Sequence, residues 1–208
     1  MKHLLAAVPR LILSGVALGA AVPDARAQDP PRNYIEMRGA LNGDGDLYRY
    51  AEYTRSFSGG AVLDAVYIGV PGQNELYLGA GYGLHLTPSL TLTPLAYAVV
   101  GKENDEFGLA LGAFLAGTAG RWSLYSFAGY FEPVSGTVPR YAFVDSLDVA
   151  RRLGTWELGV STGHYIVSGE WTALLGPVVV RNDARGAWRF YLRGGSAFEA
   201  RLARTLSF

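Results

Sequence analysis

From residue 34 onward, apolar side chains recur at every second position in short runs separated by turn residues. That period puts alternate side chains on opposite faces of an extended strand. After Pro30 and Pro31 no apolar stripe of helical period reaches useful length, so the chain is expected to fold from strands alone. The clearest run follows Glu75. There Leu76, Leu78, Ala80, Tyr82, Leu84 and Leu86 alternate with Tyr77, Gly79, Gly81, Gly83 and His85. Phe107, Leu109, Leu111, Ala113 and Leu115 repeat the pattern against Gly108, Ala110, Gly112 and Phe114. Trp188, Phe190 and Leu192 face away from Arg189, Tyr191 and Arg193, and Ile35, Met37 and Leu41 from Glu36 and Arg38.

Twelve such segments fit the chain: 34–41, 47–57, 61–70, 75–86, 90–100, 107–117, 122–131, 140–150, 156–167, 171–181, 187–194 and 198–208. The turns between them are short and rich in Gly, Pro, Asn and Ser, as in an antiparallel meander. No linker or composition break divides them. Segment 47–57 fits poorly, because Arg49 and Arg55 fall on one face and Glu52 on the other.

Composition narrows the setting. Half of the residues are hydrophobic and 17% are charged, which excludes a disordered, highly solvated chain. With no cysteine there is no disulfide framework and no thiolate metal site. The balance of 18 basic and 18 acidic residues gives no electrostatic footprint for nucleic acid. Residues 1–27 have the parts of a secretory signal peptide. Lys2 and Arg10 give a positive start, 11–22 is apolar but too short to span a bilayer, and Ala25-Arg26-Ala27 has small residues where a peptidase reads. Cleavage would remove three basic residues and one acid, leaving residues 28–208 as one domain with a net charge of −2.

Strands of about 9–11 residues match the height of a hydrocarbon core, and a sheet in lipid must close so that no backbone group is left unpaired. Aromatics cluster near strand ends at Tyr34, Tyr48, Phe107, Trp122, Phe131, Tyr141, Trp156, Trp171 and Trp188, as interfacial girdles require. The expected fold is therefore all-β: a closed antiparallel up-and-down transmembrane β-barrel of about 12 strands, with ten or eight as alternatives. Twelve strands about 4.8 Å apart and tilted about 40° give a backbone diameter of roughly 24 Å.

The chain ends Arg204-Thr205-Leu206-Ser207-Phe208, with Phe198, Leu202, Leu206 and Phe208 on one face. This resembles the C-terminal strand of bacterial outer-membrane β-barrels. The resemblance implies an outer-membrane location, contact with outer-membrane lipid and lipopolysaccharide, and recognition of the strand ending at Phe208 by the barrel assembly machinery. Arg204 departs from the pattern, lying on the apolar face, where its guanidinium would reach toward head groups. If both termini are periplasmic, the outer turns carry Asp44, Asp46, Glu103, Asp105, Glu106, Glu132 and Glu170. The inner turns carry Arg121, Arg151, Arg152, Arg181 and Arg185; Lys102 in the outer set and Asp183 in the inner set are the exceptions. An acidic outer rim would hold divalent cations that also bridge lipopolysaccharide phosphates.

In a closed meander the last strand neighbours the first. The lumen candidates are then Arg38, Arg49, Arg55, Arg189, Arg193 and Arg201, with Glu36 and Glu199 among them. Asp64, Glu157 and either Asp145 or Asp148 face them from the opposite arc. A basic wall opposite an acidic wall would orient polar solutes and favour anions, while paired charges would fill the lumen instead. A narrow polar pore and a structural, envelope-interacting barrel are both consistent with the sequence. The enzyme alternative is His164, Ser168 and Glu170, which resemble the His, Ser and acid set of outer-membrane lipid A deacylases and phospholipases. Those families place His and Ser two apart on one strand face; here the gap is four, and Ser168-Gly169-Glu170 reads as a turn. His85 is expected to fill the lumen. No metal cluster, cofactor motif or nucleic-acid motif is found.

Overall fold

A computed structural model describes residues 32–101 and 106–208. The predicted signal peptide, and Glu103 and Asp105 of the expected acidic rim, lie outside the described residues. The described chain is all strand and turn: β1 (Arg32–Asn42), β2 (Leu47–Ser56), β3 (Ala61–Val70), β4 (Gln73–Tyr82), β5 (Leu84–Thr87), β6 (Leu90–Gly101) and β7 (Glu106–Ala119). There follow β8 (Trp122–Ser135), β9 (Tyr141–Leu153), β10 (Trp156–Val167), β11 (Glu170–Asp183), β12 (Gly186–Gly195) and β13 (Phe198–Ser207).

Apart from β4 and β5, which do not pair with each other, each strand pairs antiparallel with its sequence neighbours, and β1 pairs with β13 from Tyr34↔Ser207 to Asn42↔Glu199. The β4–β6 pairing closes the ring, because β5 is the end of the same wall strand, set off from β4 at Gly83. The result is a closed antiparallel barrel of twelve wall strands, with the short β5 as an extra segment. Both described termini lie at one end, the terminus end, with the turns at 57–60, 88–89, 120–121, 154–155 and 184–185. The remaining turns lie at the far end.

The alternation sorts as expected. Met37, Leu63, Leu78, Leu109, Leu111, Val160, Leu175 and Leu202 are all at least half exposed on the outer wall. Phe107, Trp122, Trp156, Trp171 and Trp188 are exposed outward near strand ends, as girdle residues. Tyr34, Phe131 and Tyr141 depart from that expectation. Tyr34 points inward to Glu36, and Phe131 and Tyr141 stack on one another inside at 4.9 Å.

One arc of the lumen, from β3 to β8, is filled by Val62, Val66, Tyr77, Leu95, Tyr97, Val99, Ala110 and Phe131. Val138, from the β8–β9 loop, folds over this cluster at the far end. The inward glycines noted in the sequence make room for it: a Cβ at Gly79 would sit 2.3 Å from the Tyr97 ring. Burial of these rings makes that arc predominantly apolar, with Asp64 and Glu75 held among them by Tyr97 and Tyr77.

Candidate functional site: the charged lumen

β9 carries the irregularity that builds the site. Its residues oppose β8 as Phe127↔Ser146 and then Ala128↔Val144, so Asp145 is an extra residue in the strand. β10 shows the same slip, from Thr162↔Leu147 to His164↔Val144. Such a bulge bends the strand and re-aims side chains. Phe143 and Asp145 point inward on one side of it, and Ser146, Asp148 and Ala150 on the other. The sequence left Asp145 and Asp148 as alternatives; the bulge brings both inside.

Asp145 is the hub. It accepts from Arg38 Nη1 at 2.5 Å and from Arg201 Nη1 and Nη2 at 2.8 Å each. Tyr165 donates to it at 3.0 Å, and its backbone carbonyl accepts from Arg193 Nη1 at 2.7 Å. Arg38 also pairs with Glu36, and its guanidinium lies 3.8 Å from the Tyr50 ring centroid. Arg201 also reaches Glu199 Oε2 at 3.0 Å, while Arg193 holds Glu199 Oε1 at 2.7 Å. Arg193 is 0% exposed. Gly163 lets it in, because a Cβ there would lie 2.8 Å from Nη1. The pairs Arg38–Asp145 and Arg201–Asp145 join β1 and β13 to β9 across the lumen, so the two charged walls expected from the sequence meet there. Buried charges need such pairing, and the bidentate Arg201–carboxylate geometry is the strong kind.

The other candidates fall into place around this girdle. Arg189 lies 3.6 Å from Glu36 and over the Tyr125 ring at 4.7 Å. Glu157 accepts from Ser123 at 2.5 Å, Asn182 at 2.9 Å and Arg152 at 3.4 Å. Asp64 accepts from Thr54 and Tyr97 at 2.7 Å each. Asp148 accepts from Tyr191 at 2.9 Å, and its Oδ1 is buried without a partner among the described residues.

Arg49 and Arg55 are corrections. Both are exposed on the outer face of β2, with Ala51 and Tyr53 between them, while Tyr50, Glu52 and Thr54 turn inward. They sit near the strand ends, where a guanidinium can reach water or head groups, and Arg55 packs over Phe57 at 5.1 Å. This changes the charge of the interior. Among the described residues, Glu36, Glu52, Asp64, Glu75, Glu106, Asp145, Asp148, Glu157 and Glu199 point in, against Arg38, Arg189, Arg193, Arg201 and, at the cavity wall, Arg152. Carboxyl groups outnumber guanidiniums there, so the arginine wall expected to favour anions does not stand unopposed. Glu106, placed by sequence in an outer turn, is instead the first residue of β7 and is buried.

The hydrolase set is not assembled. His164 is on the outer face, hydrogen-bonded to Thr162 Oγ1 at 3.0 Å, its ring 5.4 Å from that of Trp171. Ser168 is in the β10–β11 turn with a positive φ of 52°. Glu170 opens β11 as an exposed residue, paired with Val167. His85 is exposed on β5, bonded to Thr91 at 3.1 Å, at the edge of a cavity rather than deep in the lumen. That cavity, of about 470 Å³, opens at the terminus end. Ser123, Arg152, Glu157 and Asn182 line its wall, and Tyr125, Asp148 and Arg189 lie at its floor against the girdle.

No family model matches the sequence, and no curated protein matches it. Solved structures similar in fold include the KdgM porin, with a TM-score of 0.63 at 11% identity over 84% of this chain and 99% of that one. The same values hold for a KdgM porin in complex with disordered oligogalacturonate. The NanC porin gives 0.61 at 10% identity, over 83% of this chain and 98% of its own. The chain thus has the fold of outer-membrane porin barrels, the class its C-terminal strand resembles.

Proposed function

We propose that this chain is an outer-membrane barrel whose lumen is a narrow, charge-filtered path for small polar solutes. The observation that carries the reading is the girdle of Glu36, Arg38, Asp145, Arg201, Glu199 and Arg193, which crosses the lumen above the terminus-end cavity. A solute passing it must exchange with hydrogen bonds that are already made, so passage is slow and selective. Oligogalacturonate is a polyanion and is not carried over from the KdgM porin: the carboxylate excess here disfavours it. The path is expected to prefer cations and neutral solutes. Outer-membrane residence, contact with lipopolysaccharide through the acidic far rim, and delivery by the assembly machinery through β13 ending at Phe208 belong to the same proposal.

The test is current through planar bilayers. The native barrel should give a small, cation-preferring conductance. Arg38→Ala removes one arm of the girdle beside Glu36 and should raise both conductance and cation preference. Anion preference in the native barrel refutes the charge argument. Absence of current in both proteins transfers the function to the second reading, a filled structural barrel, which the Phe131–Val138 cluster favours.

A further inference from the structure

On the outer wall at the terminus end, four successive strands line up a single row of side chains. Trp156 of β10 is the register partner of Arg181 of β11. Arg181 is in turn the partner of Trp188 of β12, and Trp188 of Arg204 of β13. With strands about 4.8 Å apart, this ladder is about 14 Å wide. The Arg181 guanidinium lies 5.6 Å from the Trp156 ring centroid, and that of Arg204 lies 5.1 Å from the Trp188 ring. Both indoles are exposed to the surroundings of the barrel.

The two arginines are not equivalent. Arg204 is held by Asp183, at 2.6 Å and 3.2 Å from its two terminal nitrogens. Arg181 is exposed and makes no ion pair among the described residues. Its planar fork of donors thus lies over Trp156, with Trp188 next in register, and no anion among the described residues receives it. Asp183 also accepts from the backbone N–H of Arg185 in the adjoining turn, so the one carboxylate beside the ladder is already engaged.

Indole rings settle at the boundary between acyl chains and head groups, which is the depth of lipid phosphate. A guanidinium there binds a phosphate through two parallel hydrogen bonds, while its stem stays against apolar surface. The exposed residues Arg121 and Arg151 extend the positive charge around this end. We propose that the Trp156–Arg181–Trp188–Arg204 ladder is a binding site for the phosphodiester of an anionic phospholipid, in the leaflet that surrounds the terminus end. The proposal rests on the membrane-spanning reading.

The experiment uses the full barrel in vesicles of phosphatidylcholine and phosphatidylglycerol, with bromine on the acyl chains of one lipid or the other. The bromines quench nearby tryptophan fluorescence. Substituting Trp122→Phe and Trp171→Phe leaves the two ladder indoles as reporters. Phosphatidylglycerol should be enriched at the ladder about fivefold over phosphatidylcholine, the effect of one well-placed cation. Arg181→Gln should bring that preference near unity, and Arg181→Lys should retain part of it. Inorganic phosphate in the buffer should leave it unchanged; if phosphate abolishes it, the site takes a free anion and the lipid assignment is overturned. Equal quenching by both lipids in the native barrel overturns the proposal while leaving the barrel in the membrane. If neither lipid quenches, the membrane-spanning reading fails with it.

Discussion

Asp145→Asn is the sharpest perturbation of the girdle. The change keeps size and removes charge, and it turns one acceptor into a donor facing a guanidinium. At present that carboxylate receives Arg38 at 2.5 Å, Arg201 twice at 2.8 Å and Tyr165 at 3.0 Å. Breaking a buried ion pair by removing one partner costs about 3–5 kcal/mol. Part of that loss is cushioned, because Arg38 keeps Glu36 and Arg201 keeps Glu199. The expected destabilisation is therefore about 2–3 kcal/mol. Urea unfolding of the barrel in detergent, followed by tryptophan fluorescence, should show a lower midpoint with an unchanged slope. Arg38→Met in the same background adds a control. If the two side chains are coupled, the double variant loses at least about 1 kcal/mol less than the sum of the single losses. A single-variant loss under about 0.5 kcal/mol, with additive losses in the double, would refute the cross-lumen network.

Three further substitutions separate the inside of the barrel from its outside. Gly79→Leu places a Cβ against the Tyr97 ring, which is fixed by its bond to Asp64, and should cost about 1–3 kcal/mol in the same unfolding assay, whereas Gly39→Ala, with open space around it, should be tolerated. Arg49→Leu should stay within about 1 kcal/mol of the native barrel, because an outward arginine near a strand end costs little in lipid; a loss above 2 kcal/mol would return Arg49 to a structural role.

The wall was legible in the sequence because the period of two is a direct image of the pleat. The lumen was legible only in part, for reasons that particular residues make plain. In β2 each face carries charge, and a strand alone does not say whether Arg49 and Arg55 or Glu52 turn inward; that choice is made by pairing with β1 and β3. In β9 strict alternation was assumed through a bulge, which hid the joint inward placement of Asp145 and Asp148. A signal was present: the outward apolar residues Val144, Leu147 and Val149 are spaced three apart and then two. Of the inward tyrosines, Tyr34 reads equally well as part of an interfacial belt, Tyr191 follows from its place on the face of Arg189 and Arg193, and Tyr50, Tyr125 and Tyr165 are marked as partners only by the pairing of their strands. For His164, parity and position together place it outside, beside Trp171, which a short sequence distance to Ser168 could not reveal.

The odd residue of β9 has a consequence for how this protein can change. Taking Asp145 out would leave Val144 and Ser146 adjacent in an unbroken pleat, with every neighbour on the same side as before. The cylinder does not require that position for its closure; only the contents of the passage do. One codon can therefore be lost or gained there, and the contents of the lumen altered, while the outer surface of the barrel keeps its shape.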